Sequence, residues 1–298
     1  MISTNAYGTY STNSSYTNPI VWSETAEAYI YEKSVFQAFG IINLEQLNRP
    51  GRQYNLTLDT GASLGRLTEG VATPISATSF NQVTVVFYGY GDAKQITDEQ
   101  MVTGEAFVGA TDRIYTNALG AWSENRDSVI VTELMTTSST GIYPNGKASG
   151  TIASTDTFNT VMIADVKSTM KTTQARQLQA IVVHPAQENS LFKLPNFVNA
   201  GQYGAGTIIQ SGEIGSYLGT KILASNHITT ATENGITVYK AIALGLKPFV
   251  FMPKRRFSFQ IGIENIRERA ITFHYWEMFG TSIYKDASVI VLTSAGGI

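Results

Sequence analysis

Apolar and polar residues follow two clear rhythms along this chain, and each predicts a different element. The slower rhythm runs from Thr97 to about Met135. There Phe107, Ile114, Ala118, Trp122 and Val129 recur at spacings of seven, four, four and seven, which lays one apolar stripe along a helix. Thr97-Asp98-Glu99-Gln100 has the form of a capping box, in which the Thr97 hydroxyl accepts from the Gln100 backbone and the Gln100 side chain reaches back. Ile96 and Met101 occupy the positions of a hydrophobic staple, and Asp98 and Glu99 suit the positive end of the helix dipole. No proline interrupts the stretch, although Gly104, Gly109 and Gly120 each cost up to about 1 kcal/mol relative to alanine, so packing must hold this helix. A bend or break is expected at the polar run Ser123 to Ser128. At about 1.5 Å per residue the rod would span roughly 55 Å, more than the width of a small domain.

The faster rhythm has period two. Tyr54, Leu56 and Leu58 alternate with Asn55, Thr57 and Asp59, and Val83, Val85 and Phe87 alternate with Thr84, Val86 and Tyr88. These read as the two arms of a long hairpin that follows a turn at Asn48–Gly51. The Gly-rich connection from Thr60 to Thr73 carries Leu64, Arg66, Leu67 and Glu69. Structureless connections of this length are uncommon inside compact domains and are usually functional. Arms that project from the body need a partner surface for their apolar sides. Before the hairpin, Ser23 can cap a helix through Phe39, with Tyr29, Val35, Phe36 and Phe39 on its apolar side and Gly40 ending it in the left-handed conformation. Upstream, Met1 to Ser23 contains no charged residue and no helical or strand period. Tyr7, Tyr10, Tyr16 and Trp22 are spaced through it, which suggests an extended arm that orders on another surface; the alternative is a disordered tail.

Downstream, Thr136 to Ser154 is a Gly/Ser/Thr loop and a plausible boundary. Asp156 can cap a second amphipathic helix with Phe158, Val161, Met162, Val166 and Met170 inward. Leu178 to His184 is a buried-type strand stopped by Pro185, followed by a short helix to Leu194 and a Gly-rich stretch from Gly201 to Gly219. Strands are expected near Lys221–Ala224, Val238–Leu244, Phe257–Ile263, Ile271–Met278 and Ser288–Leu292. No internal repeat is visible. The class is α+β.

Composition narrows the function. With no Cys there is no disulfide, thiolate chemistry or Cys-based metal site. The first residues lack the regions of a signal peptide, and no apolar run is long enough to span a membrane. A net charge of −2 gives no footprint for tight nucleic-acid binding. Charged residues make up only 15% of the chain, well below the usual quarter. Two surfaces fit that: one largely covered by copies of the same chain, or the polar, uncharged exterior of a secreted β-protein.

Candidate chemistry is thin. Asp59-Thr60-Gly61-Ala62-Ser63 has the form of an aspartic-protease turn, in which two carboxylates share a proton and activate water. The second turn is missing, so a homodimer would have to supply it. The bland reading is a strand ending in a turn. His184, His227 and His274 each stand alone, without metal-ligand spacing, and His184 before Pro185 reads as a hydrogen-bonded structural residue. Gly201-x-x-Gly204-x-Gly206 lacks the order and lysine of a phosphate loop. Lys254-Arg255-Arg256 reads as a solvated turn, with contact to nucleic acid or an acidic neighbour as the minority reading. No cofactor, metal site or catalytic residue is assigned.

A resemblance then organises these parts. Leu67-Thr68-Glu69-Gly70, Val85-Val86-Phe87-Tyr88-Gly89-Tyr90-Gly91, Ile96-Thr97-Asp98, Ile181-Val182-Val183-His184-Pro185, Gly212-Glu213-Ile214-Gly215, Tyr275-Trp276-Glu277 and Phe279-Gly280 occur in that order. In order and spacing the chain resembles the tailed-phage major capsid proteins with the Hong-Kong-97-type fold, in the branch typified by phage N4. The resemblance implies an N-terminal arm and short helix (1–48), an extended hairpin loop (49–88), a peripheral domain on a long spine helix (89–154 and 246–298) and an axial domain (155–245). It also implies a structural, non-enzymatic subunit of the virion that self-assembles into hexamers and pentamers of an icosahedral head around double-stranded DNA, without sequence-specific binding. Separate scaffolding and portal proteins, and cement proteins, are the expected partners, and assembly is expected in the host cytoplasm. Arg66, Leu67, Glu69 and Leu64 of the hairpin, with Tyr10, Tyr16 and Trp22 of the arm, are the expected intersubunit contacts. The competing reading is a secreted or tail-associated β-rich binding protein.

Overall fold

Helix α1 (Ala110–Leu134) is the axis on which two sheets meet. In this computed structural model the described residues are 30, 34–59, 80–97, 110–172, 177–194, 216–264 and 270–296. The described helix has 25 residues, or about 37 Å at the usual rise. The part of the predicted stretch before Ala110 can be followed only as far as Thr97. Thr97 is the last residue of strand β4 (Tyr88–Thr97), where its ladder partner is Ala270, and Asp98–Gln100 of the expected capping box lie outside the described residues. The polar run Ser123–Ser128 does not break the helix: Ser123, Arg126 and Asp127 turn inward and find partners there, while Glu124 and Ser128 face solvent. The buried face runs through Ala118, Leu119, Trp122, Ser123, Arg126, Asp127, Ile130, Val131 and Leu134, while Val129 is only partly buried.

Against one side of α1 lies a four-stranded sheet in the order β1 (Ile41–Ile42), β10 (Phe249–Glu264), β11 (Ala270–Ile283), β4. Near its N-terminal half, Trp122 packs edge-on to Phe257 and Tyr275, with Ile30 buried beside them. The Lys254-Arg255-Arg256 run is not a solvated turn. It lies within β10, where aromatic faces accept its cations: the Arg255 guanidinium stands 5.0 Å from the Trp276 ring centre, and Lys254 is 4% exposed.

The second sheet holds β12 (Val289–Ala295), β9 (Ile236–Leu244), β5 (Ala180–Val183), β7 (Thr220–Ala224) and β6 (Ser216–Tyr217) in that order, with β8 (Thr230–Glu233) hairpinned onto β9. The sequence grouped the last strand with the peripheral elements. Instead β12 pairs antiparallel with β9 from Val289↔Leu244 to Ala295↔Val238, so residues 289–295 complete this second sheet. Strand β5 is buried at all four positions, as a strand covered on both faces must be. One face carries Ile181 and Val183 against helix α2 (Thr160–Thr172), whose Met162, Ile163, Val166 and Met170 are fully buried. The other carries Val182, with Ile242, Leu244 and Val289, against Ile130, Val131 and Leu134 of α1. Each such side chain contributes about 1.5–3 kcal/mol by burial.

Local expectations for α2 need two corrections. Its cap is Asn159, whose Oδ1 accepts from the Met162 amide at 3.0 Å. Asp156 instead accepts from the Ala153 amide and Lys147 Nζ, closing the preceding loop, and Val161 faces solvent. A β8–β9 hairpin absent from the pattern-based expectations turns at Asn234-Gly235. Both residues have positive φ, 51° and 75°, as a two-residue turn of this kind requires.

The charge inside α1 explains how the helix and the four-stranded sheet are joined. Arg126 is fully buried, and its fork meets Glu277 of β11 through Nε–Oε1 at 3.1 Å and Nη2–Oε2 at 2.5 Å. The guanidinium also stands 5.3 Å from the Phe251 ring centre. Removing one partner of such a pair leaves an uncompensated buried charge. Arg126→Met is therefore expected to cost roughly 3–5 kcal/mol in denaturant unfolding, and Arg126→Met with Glu277→Leu to recover most of it. A double variant no more stable than the single one would refute this account.

Candidate assembly surface

The described residues include the segment that follows the expected arm and the base of the expected hairpin, and both are tied to elements of the fold. The arm root is held by Asp127 of α1, which is 3% exposed. Its carboxylate accepts from the amides of Val35 at 2.8 Å and Phe36 at 3.3 Å and from the Ser34 hydroxyl. Ser34 Oγ in turn accepts from the Gln37 amide at 3.2 Å, opening a single 3-10 turn, Gln37–Phe39. The predicted helix through Phe39 is therefore not continuous: the Ser34 amide still donates to the Ile30 carbonyl at 3.0 Å, but Val35 and Phe36 turn their amides to Asp127. Gly40 is extended (φ −83°) rather than left-handed. Its small size serves packing instead, because a Cβ there would lie 2.4 Å from the buried ring of Phe249.

The hairpin arms β2 (Gln53–Asp59) and β3 (Phe80–Val86) pair antiparallel from Gln53↔Val86 to Asp59↔Phe80. Its root is not without intramolecular cover, as the sequence suggested: Val85 and Phe87 are buried against Val250 and Met252, with Ile41 and Met278 around them. Tyr54, opposite Val85, is partly buried, and one step further out on the same apolar face Leu56 faces Val83 with both only partly buried. Val86 and Tyr88, on the opposite parity, are exposed. Asp59 closes β2 opposite Phe80. The predicted contact residues Leu64, Arg66, Leu67 and Glu69, the remainder of the Asp59 turn motif, and Tyr10, Tyr16 and Trp22 all lie outside the described residues.

A cleft of about 430 Å³ separates α1 from the second sheet, lined by Ser123, Glu124, Asp127, Pro185 and the segment Ala224–His227. Among the described residues no group of three or more potential metal ligands converges there or elsewhere. His184 has the structural role expected of it. Its Nδ1 accepts from the Ala186 amide at 3.1 Å, capping helix α3 (Pro185–Phe192), and its ring lies 4.6 Å from that of Tyr239. Burial holds its pKa below the ordinary value. The residues that sequence reasoning missed are Arg126, Asp127 and Glu277. The available signal was Arg126 standing four residues after Trp122, on the apolar stripe itself.

Electrostatics separates the carboxylates by partner. Burial pushes the pKa of Asp127 up, against the pull of its three hydrogen bonds and of His227. The hydrogen bond from Lys147 and the Ala153 amide hold Asp156 down. Tyr275 donates to Asp92 at 2.8 Å; burial and this bond push the phenol up to about 12 and the bond lowers Asp92. For Asp127 the folded chain holds the proton more tightly than the unfolded chain, so ionisation costs stability as pH rises through its raised value. For Asp156 the sign is opposite: its stabilisation is complete above the unfolded value near ~4 and is lost as pH falls through the lowered one. Denaturation midpoints measured against pH should therefore show Asp127→Asn reducing the stability gained as pH falls through the raised Asp127 value, and Asp156→Asn flattening the loss below pH ~4. Slopes unchanged from the parent chain would contradict both assignments.

With this geometry in view, comparison with known proteins is direct. The phage capsid protein family model matches residues 81–286. No curated protein matches the sequence. Among solved structures, the capsid of Ralstonia phage GP4 superposes with TM-score 0.68 at 14% identity, covering 89% of this chain and 92% of that one. The capsid asymmetric unit of cyanophage Pam1 gives 0.68 at 14% over 89% and 92%, and the Mycobacterium phage Che8 structure 0.64 at 15% over 87% and 90%. Identities this low speak for the fold, and the family match covers more than two thirds of the sequence. Neither favours the aspartic-protease reading of Asp59 or a tail-associated binding protein. The chain belongs to the phage capsid protein family, as a structural, non-enzymatic major capsid protein with the Hong-Kong-97-type fold.

Proposed function

We propose that this subunit tiles hexamers and pentamers of an icosahedral bacteriophage head that encloses double-stranded DNA, and that the arm and hairpin are its principal links to neighbours. The observation that carries the reading is the lower burial outward along one apolar hairpin face, from buried Val85 and Phe87 to the partly buried Leu56–Val83 pair. A hairpin needs packing on a face of this kind, and beyond its root the described body supplies less and less. A second copy in closed symmetry can supply it, and many modest contacts per subunit then hold jointly. A net charge of −2 suits a container that encloses DNA without gripping it.

In this reading residues 1–48 form the arm, 49–88 the hairpin loop, and the rest divides into peripheral and axial domains, with 289–295 joining the axial sheet. Leu64, Arg66, Leu67 and Glu69 contact a neighbouring subunit through the hairpin tip, and Tyr10, Tyr16 and Trp22 through the arm. Scaffolding, portal and cement functions reside on separate chains, and the head assembles in the host cytoplasm.

Purified chain examined by size exclusion and negative-stain microscopy is expected to give capsomers or closed shells; a stable monomer or trimer would overturn the proposal. Arg66→Ala with Glu69→Ala is expected to lower the shell Tm by about 2–8 °C, roughly 1–2 kcal/mol per subunit. An unchanged Tm would remove these two residues from the interface.

A further inference from the structure

The described residues hold one buried ammonium for which the fold, as so far described, has no use. Lys254 is 4% exposed, and no described carboxylate forms an ion pair with it. Its Nζ donates to the Pro50 carbonyl at 3.2 Å and stands 4.8 Å from the centre of the Phe87 ring. An apolar side chain of this size would be less costly to bury. What the ammonium supplies is direction.

Lys254 is the unpaired residue of a bulge: in the β10–β11 ladder Pro253 faces Phe279 and Arg255 faces Met278, and Lys254 has no partner. Bulges re-aim a side chain in this manner. Here residue 254 meets the chain entering the hairpin at two points. Its backbone carbonyl accepts from the Asn48 amide at 2.8 Å, where Asn48 has a φ of 59°, and its side chain reaches Pro50. The returning strand is tied to the same segment, since the Phe87 amide donates to the Arg52 carbonyl at 2.9 Å.

The opposite side of the root is set by absence of a side chain. Gly280 of β11 lies under β3, where an added Cβ would fall 2.4 Å from the Val86 carbonyl oxygen and 2.7 Å from Val85 Cγ1. The nearest obstacle is backbone, so an alanine there must push the hairpin away. We propose that Lys254 and Gly280 are positioning residues that fix the angle at which the hairpin leaves the subunit, and that shell geometry depends on that angle.

The test uses the full chain with Lys254→Met, which keeps the length and packing of the stem, Gly280→Ala, and Arg255→Met as a control on the exposed neighbour. Amide exchange at Asn48 and at Val85–Tyr88 is expected to accelerate about tenfold or more in the first two variants and to stay at the parent rate in the control. The same two variants should give fewer closed shells, or shells of irregular size, by negative stain. Root exchange within twofold of the parent in both variants overturns the bracket, and faster exchange with normal shells overturns its role in assembly. The exchange measurement needs only the folded subunit, so it stands apart from the proposed head, on which the shell readout rests.

Discussion

The fork between Arg126 and Glu277 is the constraint on which the rest of the architecture depends. It sits where α1 crosses β11, with no solvent access on the arginine, and it fixes both position and rotation of the helix. A bidentate pair tolerates little sliding or rolling. One residue further on, Asp127 turns the same helical face to the arm root. Two successive buried polar residues thus join three parts of the chain: the four-stranded sheet, the helix and the segment at Ser34–Phe36. The apolar contacts at Ile130, Val131 and Leu134 add cohesion with the second sheet but leave register to the polar pair, since hydrophobic burial is non-directional.

Much of this was legible from pattern. Alternation at Tyr54–Leu58 and Val83–Phe87 gave both hairpin strands, Pro185 marked the end of β5, and the stripe through Ala118 and Trp122 found the helix. Tertiary pairing erased the rest. Nothing local at Tyr88–Thr97 announces that β4 pairs along its length with β11, more than 170 residues away. Asp156 reads as a cap until Lys147 and the Ala153 amide occupy it. The Ser123–Ser128 run looks like an interruption because its partners, Glu277 and Ser34, lie about 150 and 90 positions distant. Local propensity cannot anticipate partners of that kind.

The charge-poor composition also acquires a physical meaning. Several of the charges present are used internally: Arg126, Asp127, Lys254 and Glu277 are buried, as is Asp156. A chain with only 15% charged residues that commits some of them to its own interior leaves correspondingly few to coat the outside. Polar uncharged groups then dominate what neighbours meet, a surface that dehydrates at lower cost than one rich in lysine and glutamate.

The place of β12 has a consequence for the order of events in the cell. Until residues 289–295 have left the ribosome, the β9 edge has no cover and both apolar clusters that flank the second sheet lack the side chains of Val289, Ile290 and Leu292. Chains are made from the N-terminus, so β2 and β3 emerge well before β12 can pair with β9. Timing is thereby written into topology: the second sheet is finished only once residues 289–295 have been made.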